Sequence, residues 1–196
     1  MNGLEVLLRH AAEDLERLGT RWALVGGLAV SARTEARFTR DLDLAVSIDD
    51  NDGAEQVVRS LVAAGYRVLA TVEQEAMGRL ATVRLGPPGS ASDDPLLDLL
   101  FASSGIEPEI VTGAECLAIV PDVAGPVARV GHLIAVKLLS CDEQRRPQDL
   151  VDLRALRAVA DPLERELARA AVRLITGRGF ARGRDLAGAL EAFLQQ

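Results

Sequence analysis

Leu4, Leu7, Leu8, Leu15 and Leu18 recur at helical spacing with acidic residues between them. The spacing predicts an amphipathic helix over about residues 3–18, stopped by Gly19. Trp22-Ala23-Leu24-Val25 reads as a short apolar strand that runs into Gly26-Gly27, with a short helix from Leu28 to Arg33. Asp41 to Val46 alternates as a strand, followed by a turn at Asp49–Gly53 and a helix over Ala54–Ala64 that ends at Gly65. Tyr66–Val72 and Arg79–Leu85 predict two further strands, the second stopped by the loop Gly86-Pro87-Pro88-Gly89-Ser90. Pro95–Phe101 is an apolar strand with one acid, Asp98, at its middle. Residues 106–130 predict a short helix and a strand or two. From Gly131 onward helices dominate, at about 131–141, 147–159, 162–175 and 184–195. The pattern is that of an α+β chain: a small mixed α/β core over residues 1–130, then a helical region over 131–196.

Composition narrows this picture. A chain of 196 residues with 48% hydrophobic side chains is long enough, and apolar enough, for a packed core, which excludes disorder as the main state. With 3% aromatics, that core is built from Leu, Val, Ala and Ile. The net charge is −7, divided as −9 over residues 1–130 and +2 over 131–196. Such a balance argues against a general nucleic-acid coat protein, although the Arg-rich helices after residue 145 (Arg154, Arg157, Arg165, Arg169) leave one basic face. Cys116 and Cys141 form neither a disulfide framework nor a metal spacing, and the N-terminus lacks a signal-peptide layout. No apolar run approaches the length of a membrane span. A soluble protein of the reducing cytoplasm is therefore expected. Of 22 basic residues only Lys137 is a lysine, which singles it out as the one compact, mobile cation.

Three groups of residues suggest chemistry. Gly26-Gly27, between a strand and a helix, lets the backbone approach a ligand closely, and the free N–H groups of the new helix favour phosphate. Thirteen residues later, Asp41 and Asp43 stand two apart in a strand and so share a face, where two carboxylates repel unless a cation such as Mg²⁺ lies between them. Alone, the glycines are a tight turn and the aspartates a solvated edge; in this order and spacing they point to function. Asp98, flanked by leucines in a strand buried on both faces, needs a cation partner, either one of the many arginines or a metal shared with Asp41 and Asp43. Lys137 emerges from the nearly all-apolar helix that opens with Gly131-His132, and a Lys held there reaches for a carboxylate or a phosphate. Arg145, Arg146, Asp149 and Asp152 follow, the two aspartates on one helix face.

Gly26-Gly27, the thirteen-residue spacing, Asp41-Leu42-Asp43 and the later Asp98 resemble the signature of the DNA polymerase β-like nucleotidyltransferase superfamily. More narrowly, Gly26-Gly27-Leu28-Ala29-Val30 followed by Arg37-Phe38-Thr39-Arg40-Asp41-Leu42-Asp43-Leu44 is similar to the AbiEii-type nucleotidyltransferase toxins. Lys137 and the segment Arg145 to Leu153 fall where that group carries its later lysine and Arg/Asp helix, with Gln148 in place of the usual basic residue. The resemblance spans about residues 20–155. It implies a small mixed sheet of the polymerase β type flanked by helices, followed by a C-terminal helical bundle, and transfer of a nucleoside monophosphate from an NTP. Two Mg²⁺ ions held by Asp41, Asp43 and Asp98 would clamp the α-phosphate. Asp98 would help remove the acceptor's proton. Gly26, Gly27, Arg37, Thr39, Lys137 and Arg145 would bind the nucleotide, and Asp149 would stand behind the residues that touch substrate or at the acceptor site. The setting it implies is a toxin–antitoxin pair, with a cognate antitoxin protein and an acceptor that is tRNA, protein or a small molecule. Two other readings share the same residues: a small-molecule nucleotidyltransferase of the antibiotic-modifying kind, and an inactive module of this fold that grips a partner protein.

Overall fold

A computed structural model describes residues 3–74, 78–91, 94–141 and 147–195. Helix α1 (Gly3–Arg17) buries Leu4, Leu7, Leu8, Ala11 and Leu15, the stripe that its leucine spacing predicts, and packs against strand β2 (Leu42–Val46). β2 pairs antiparallel with β1 (Trp22–Leu24) and parallel with β5 (Leu97–Leu100). Beyond β5 come β4 (Arg79–Gly86) and, at the edge, β3 (Arg67–Gln74), both antiparallel. On the other side β7 (Val123–Val127) joins β1 in parallel and carries β6 (Glu115–Val120) outside it. The result is one mixed seven-stranded sheet in the order β3-β4-β5-β2-β1-β7-β6.

Eight helices among the described residues complete the fold: α1, α2 (Gly26–Arg33), α3 (Asn51–Ala63), α4 (Glu107–Gly113), α5 (Val130–Ser140), α6 (Pro147–Val159), α7 (Pro162–Gly177) and α8 (Leu186–Gln195). α2 packs on β2 and on the helical pair α5–α6, so the C-terminal helices lie directly against the element that follows β1. One apolar core runs from Leu4 in α1 through Leu44 and Leu99 in the sheet to Leu133, Ala168 and Leu190 in the helices. No helix among the described residues is long and apolar enough to cross a membrane.

Two local expectations are corrected. The segment Asp49–Gly53 is not a free turn: Asp50 caps α3, its Oδ1 accepting from Gly53 N at 2.8 Å, so the helix opens at Asn51. α2 opens at Gly26 itself rather than at Leu28. Residues 106–130 hold the short helix and strands expected there, α4 and the β6–β7 hairpin, which extends the sheet by two strands.

Candidate active site

Sheet register builds the site's floor. In β2 and β5, Leu42, Leu44, Leu97 and Leu99 are fully buried on one face, which turns Asp43 and Asp98 to the other. Asp43 stands directly opposite Asp98 across that parallel pair, and Asp98 directly opposite Arg84 across β4–β5. Asp41 lies one residue before β2 and is half-buried. The sequence expectation that Asp41, Asp43 and Asp98 share one place therefore matches the geometry, with an arginine added that it did not name. Arg84 grips Asp98 with two bonds, Nε to Oδ1 at 2.8 Å and Nη2 to Oδ2 at 2.6 Å, and comes within 3.6 Å of Asp41 Oδ2. Arg84 is thus the cationic side chain that meets Asp98.

Burial, reinforced by the charges of Asp98 and then Asp41, pushes the Asp43 carboxyl up to about 7, against a smaller opposing pull from Lys137 and Arg84. Its ionised form thus lacks a compensating charge, which is the condition a hard divalent cation relieves, and carboxylate oxygens are the donors such a cation takes. Asp41 and Asp43 fit a metal on this ground. Among the described residues, however, no group of three His, Cys, Asp or Glu side chains stands in a metal-holding arrangement, and Asp98 is turned to Arg84.

The glycine pair lies against this floor. Val25 N donates to Asp43 O at 2.9 Å, which ties the start of α2 to β2. Gly26 has φ +64°, and a Cβ there would collide with the Asp43 carboxylate, so backbone conformation and space both require glycine. A Cβ on Gly27 would meet Arg37 Nη2 at 2.7 Å and Thr39 Oγ1 at 2.9 Å, which places both predicted side chains against the helix start. Val25 makes no side-chain cap, so no side chain covers the N-terminus of α2 from that position.

Lys137 reaches out of α5, a helix buried nearly all round, into a chain of paired charges. Its Nζ donates to Asp149 Oδ1 at 2.7 Å and lies 2.7 Å from Asp152 Oδ2. Arg37 closes the chain, with Nε and Nη2 donating to the two Asp152 oxygens at 2.6 and 2.7 Å. Burial pushes the Asp152 carboxyl up, but the hydrogen bonds from Arg37 and Lys137 outweigh it and hold the group below the ordinary carboxylate range. Asp152 is thus a central member of the site and links the Arg37 segment to α5 and α6. The predicted contacts of Arg145 lie outside the described residues.

Part of this set borders one cavity of about 470 Å³. Gly26, Gly27, Asp43, Arg84, Asp98 and Lys137 line it, and β3 adds Ala70 and Val72. Glu107, which sequence reasoning did not single out, also lines it; it is 1% exposed, and its Oε1 accepts from Ser104 N at 2.7 Å and Ser104 Oγ at 2.9 Å. Nothing local in the sequence marks Glu107. Arg84 had one available signal, the need of Asp98 for a cation.

Comparison with known proteins agrees with this geometry. The chain resembles an antigenic nucleotidyltransferase-like protein from Paracoccidioides brasiliensis at 21% identity and a TM-score of 0.55, covering 96% of this chain and 92% of that one. It resembles the lincosamide antibiotic adenylyltransferase LnuA at 14% identity and a TM-score of 0.51, over 78% of this chain and 96% of that one. It also resembles ANT(2")-Ia, solved with adenylyl-2"-tobramycin, at 16% identity and a TM-score of 0.50, over 95% and 96%. At these identities the likeness establishes the polymerase β-like nucleotidyltransferase fold. No curated protein sequence matches the chain significantly. The family described as "Nucleotidyl transferase AbiEii toxin, Type IV TA system" matches residues 7–195. With nearly its whole length matched, the chain belongs to the AbiEii family of nucleotidyltransferase toxins.

Proposed function

We propose that this nucleotidyltransferase moves a nucleoside monophosphate from an Mg²⁺-bound NTP to an acceptor hydroxyl, as the toxin of a cytoplasmic toxin–antitoxin pair. The observation that carries the reading is the register that sets Asp43 beside Asp98, over a glycine that only the absence of a side chain admits. Asp41 and Asp43 would hold Mg²⁺, which when bound supplies positive charge to the triphosphate and acidifies a coordinated hydroxyl. Gly26, Gly27 and the open N-terminus of α2 receive phosphate oxygens through backbone N–H groups. Lys137 turns part of its charge from Asp149 and Asp152 toward the phosphates, and the bracing of Asp152 by Arg37 keeps the lysine aimed. Thr39 packs beside Gly27 and shapes the same turn. Asp98 would take the acceptor's proton, with Arg84 loosening its hold on one oxygen as it does so.

Titration of each NTP into the protein, with and without Mg²⁺, tests this reading by calorimetry. Metal-dependent binding that Asp41→Ala/Asp43→Ala abolishes is the expected result. Absence of binding to any NTP would overturn the reading and leave a partner-binding module. For the acceptor, the Arg-rich helices offer less than their sequence suggests. Arg157 bonds Phe193 O, Arg165 bonds Ala160 O, and Arg169 is paired with Glu191 and Glu166. Among the described residues, Arg157 and Arg165 bond only backbone carbonyls and so keep their positive charge, whereas Arg169 is offset by two carboxylates. The antibiotic-type reading is separated by supplying labelled NTP with tRNA, protein or a polycationic small molecule. A cognate antitoxin is expected as the partner.

A further inference from the structure

Asp43, Asp98 and Arg84 form a row of charges across three neighbouring strands, each directly opposite the next. Directly opposed residues on antiparallel strands bring their Cβ atoms to about 4.5–5.5 Å. The sheet register therefore sets the Arg84 and Asp98 side chains within reach of one another. Both oxygens of Asp98 accept from the guanidinium, in the two-pronged geometry that makes such pairs strong. Asp98 is 7% exposed, so its charge needs this compensation. The same guanidinium leans toward Asp41. Asp43, in contrast, has no cationic side chain within salt-bridge distance among the described residues. Three carboxylates and one guanidinium leave two negative charges, the charge that a single divalent ion neutralises.

We infer that Arg84 takes the place of one of the two metal ions that three such aspartates would hold: Asp41 and Asp43 bind one divalent cation, and Asp98 works as the partner of Arg84. The inference rests on the nucleotidyl-transfer reading and replaces the expectation of two ions. It makes Arg84 a positioning residue, which keeps Asp98 ionised and aimed without a metal of its own. The opposing mechanism is that Arg84, 42% exposed, turns out of the row when nucleotide arrives and surrenders Asp98 to a second ion.

Mn²⁺ paramagnetic resonance decides between them, using the full chain with each α,β-methylene NTP as an unreactive substrate. Wild type is expected to show the spectrum of an isolated ion, and Asp98→Asn to leave that spectrum unchanged. Arg84→Gln, with Asp98 released, is expected to bind two ions as an exchange-coupled pair, about 3.5–4 Å apart as in two-metal sites. Arg84→Lys keeps the charge and so keeps the isolated ion, which separates charge from mere support of the fold. A coupled pair in wild type that Asp98→Asn reduces to one ion would overturn the inference while leaving nucleotidyl transfer intact. An isolated ion in folded Arg84→Gln would overturn it equally. No Mn²⁺–nucleotide binding in any of the four proteins would remove the transfer reading itself, and this inference with it.

Discussion

His132 shows what burial does to one titratable group when its ring is left partly unanswered. It is 4% exposed at the start of α5, and among the described residues its Nδ1 has no hydrogen-bond partner, although its place at a helix opening suggests a structural hydrogen-bonder. Burial pulls its pKa down to about 4; the Arg129 charge acts in the same direction, and Glu164 and Glu109 oppose it. Between pH 6.5 and 4 the unfolded chain therefore binds a proton that the folded protein refuses, so stability falls as pH falls through that window. The loss attributable to this group is about 3 kcal/mol at most. His132→Gln is expected to remove most of that slope while changing stability at pH 7 far less, as read from denaturation midpoints at pH 7 and pH 4.5. A variant that loses as much as wild type on acidification would place the slope elsewhere.

At the scale of elements, the crossing of α5 and α7 fixes the packing within the helical region, which meets the rest of the fold through α2 against α5 and α6. A Cβ on Gly131 would meet the Glu164 carbonyl, and Ala168 N and Leu167 Cβ at 2.8 Å. The helices therefore approach backbone to backbone. Glu164 secures the crossing, with Oε2 accepting from Gly131 N at 2.6 Å and Oε1 from Arg129 Nε at 2.8 Å. Gly131→Ala is expected to destabilise the protein by about 3 kcal/mol, since backbone on the facing helix cannot yield as a side chain can. A change within about 0.5 kcal/mol in chemical denaturation would contradict so close a crossing. Elements whose order is local are legible in the sequence. The leucine stripe of α1, the alternation of β2 and the apolar run of β5 each declare both type and buried face. The β6–β7 hairpin is less legible, because Val123-Ala124-Gly125-Pro126-Val127 neither alternates nor avoids strand breakers, and its pairing with β6 and its parallel seat beside β1 order it. The site divides in the same way. Asp41, Asp43, Asp98 and the glycines are readable from spacing and flanking leucines. Arg84 is one arginine among 21, and its meaning lies in a register across three strands that no local pattern encodes. Asp152 looks like surface charge on a helix until Arg37 arrives from more than a hundred residues away.

For the molecule as a whole, a boundary near residue 130 separates two kinds of secondary structure, while the apolar core passes across it. We expect one cooperative unfolding transition. Trp22, the only tryptophan, sits in β1 at 6% exposure and reports on the sheet, whereas far-ultraviolet dichroism is dominated by the helices. The two signals should give coincident denaturant curves. Separated midpoints would instead show that residues 1–130 and 131–196 unfold as independent units. The chain of charges from Arg37 through Asp152 to Lys137 and Asp149 has a further consequence for synthesis. The carboxylates of β2 leave the ribosome about a hundred residues before Asp149 and Asp152, without which Lys137 has neither its partners nor its aim. On the proposed reading, a nascent chain would be without competence for transfer until α6 has been made and packed against α2.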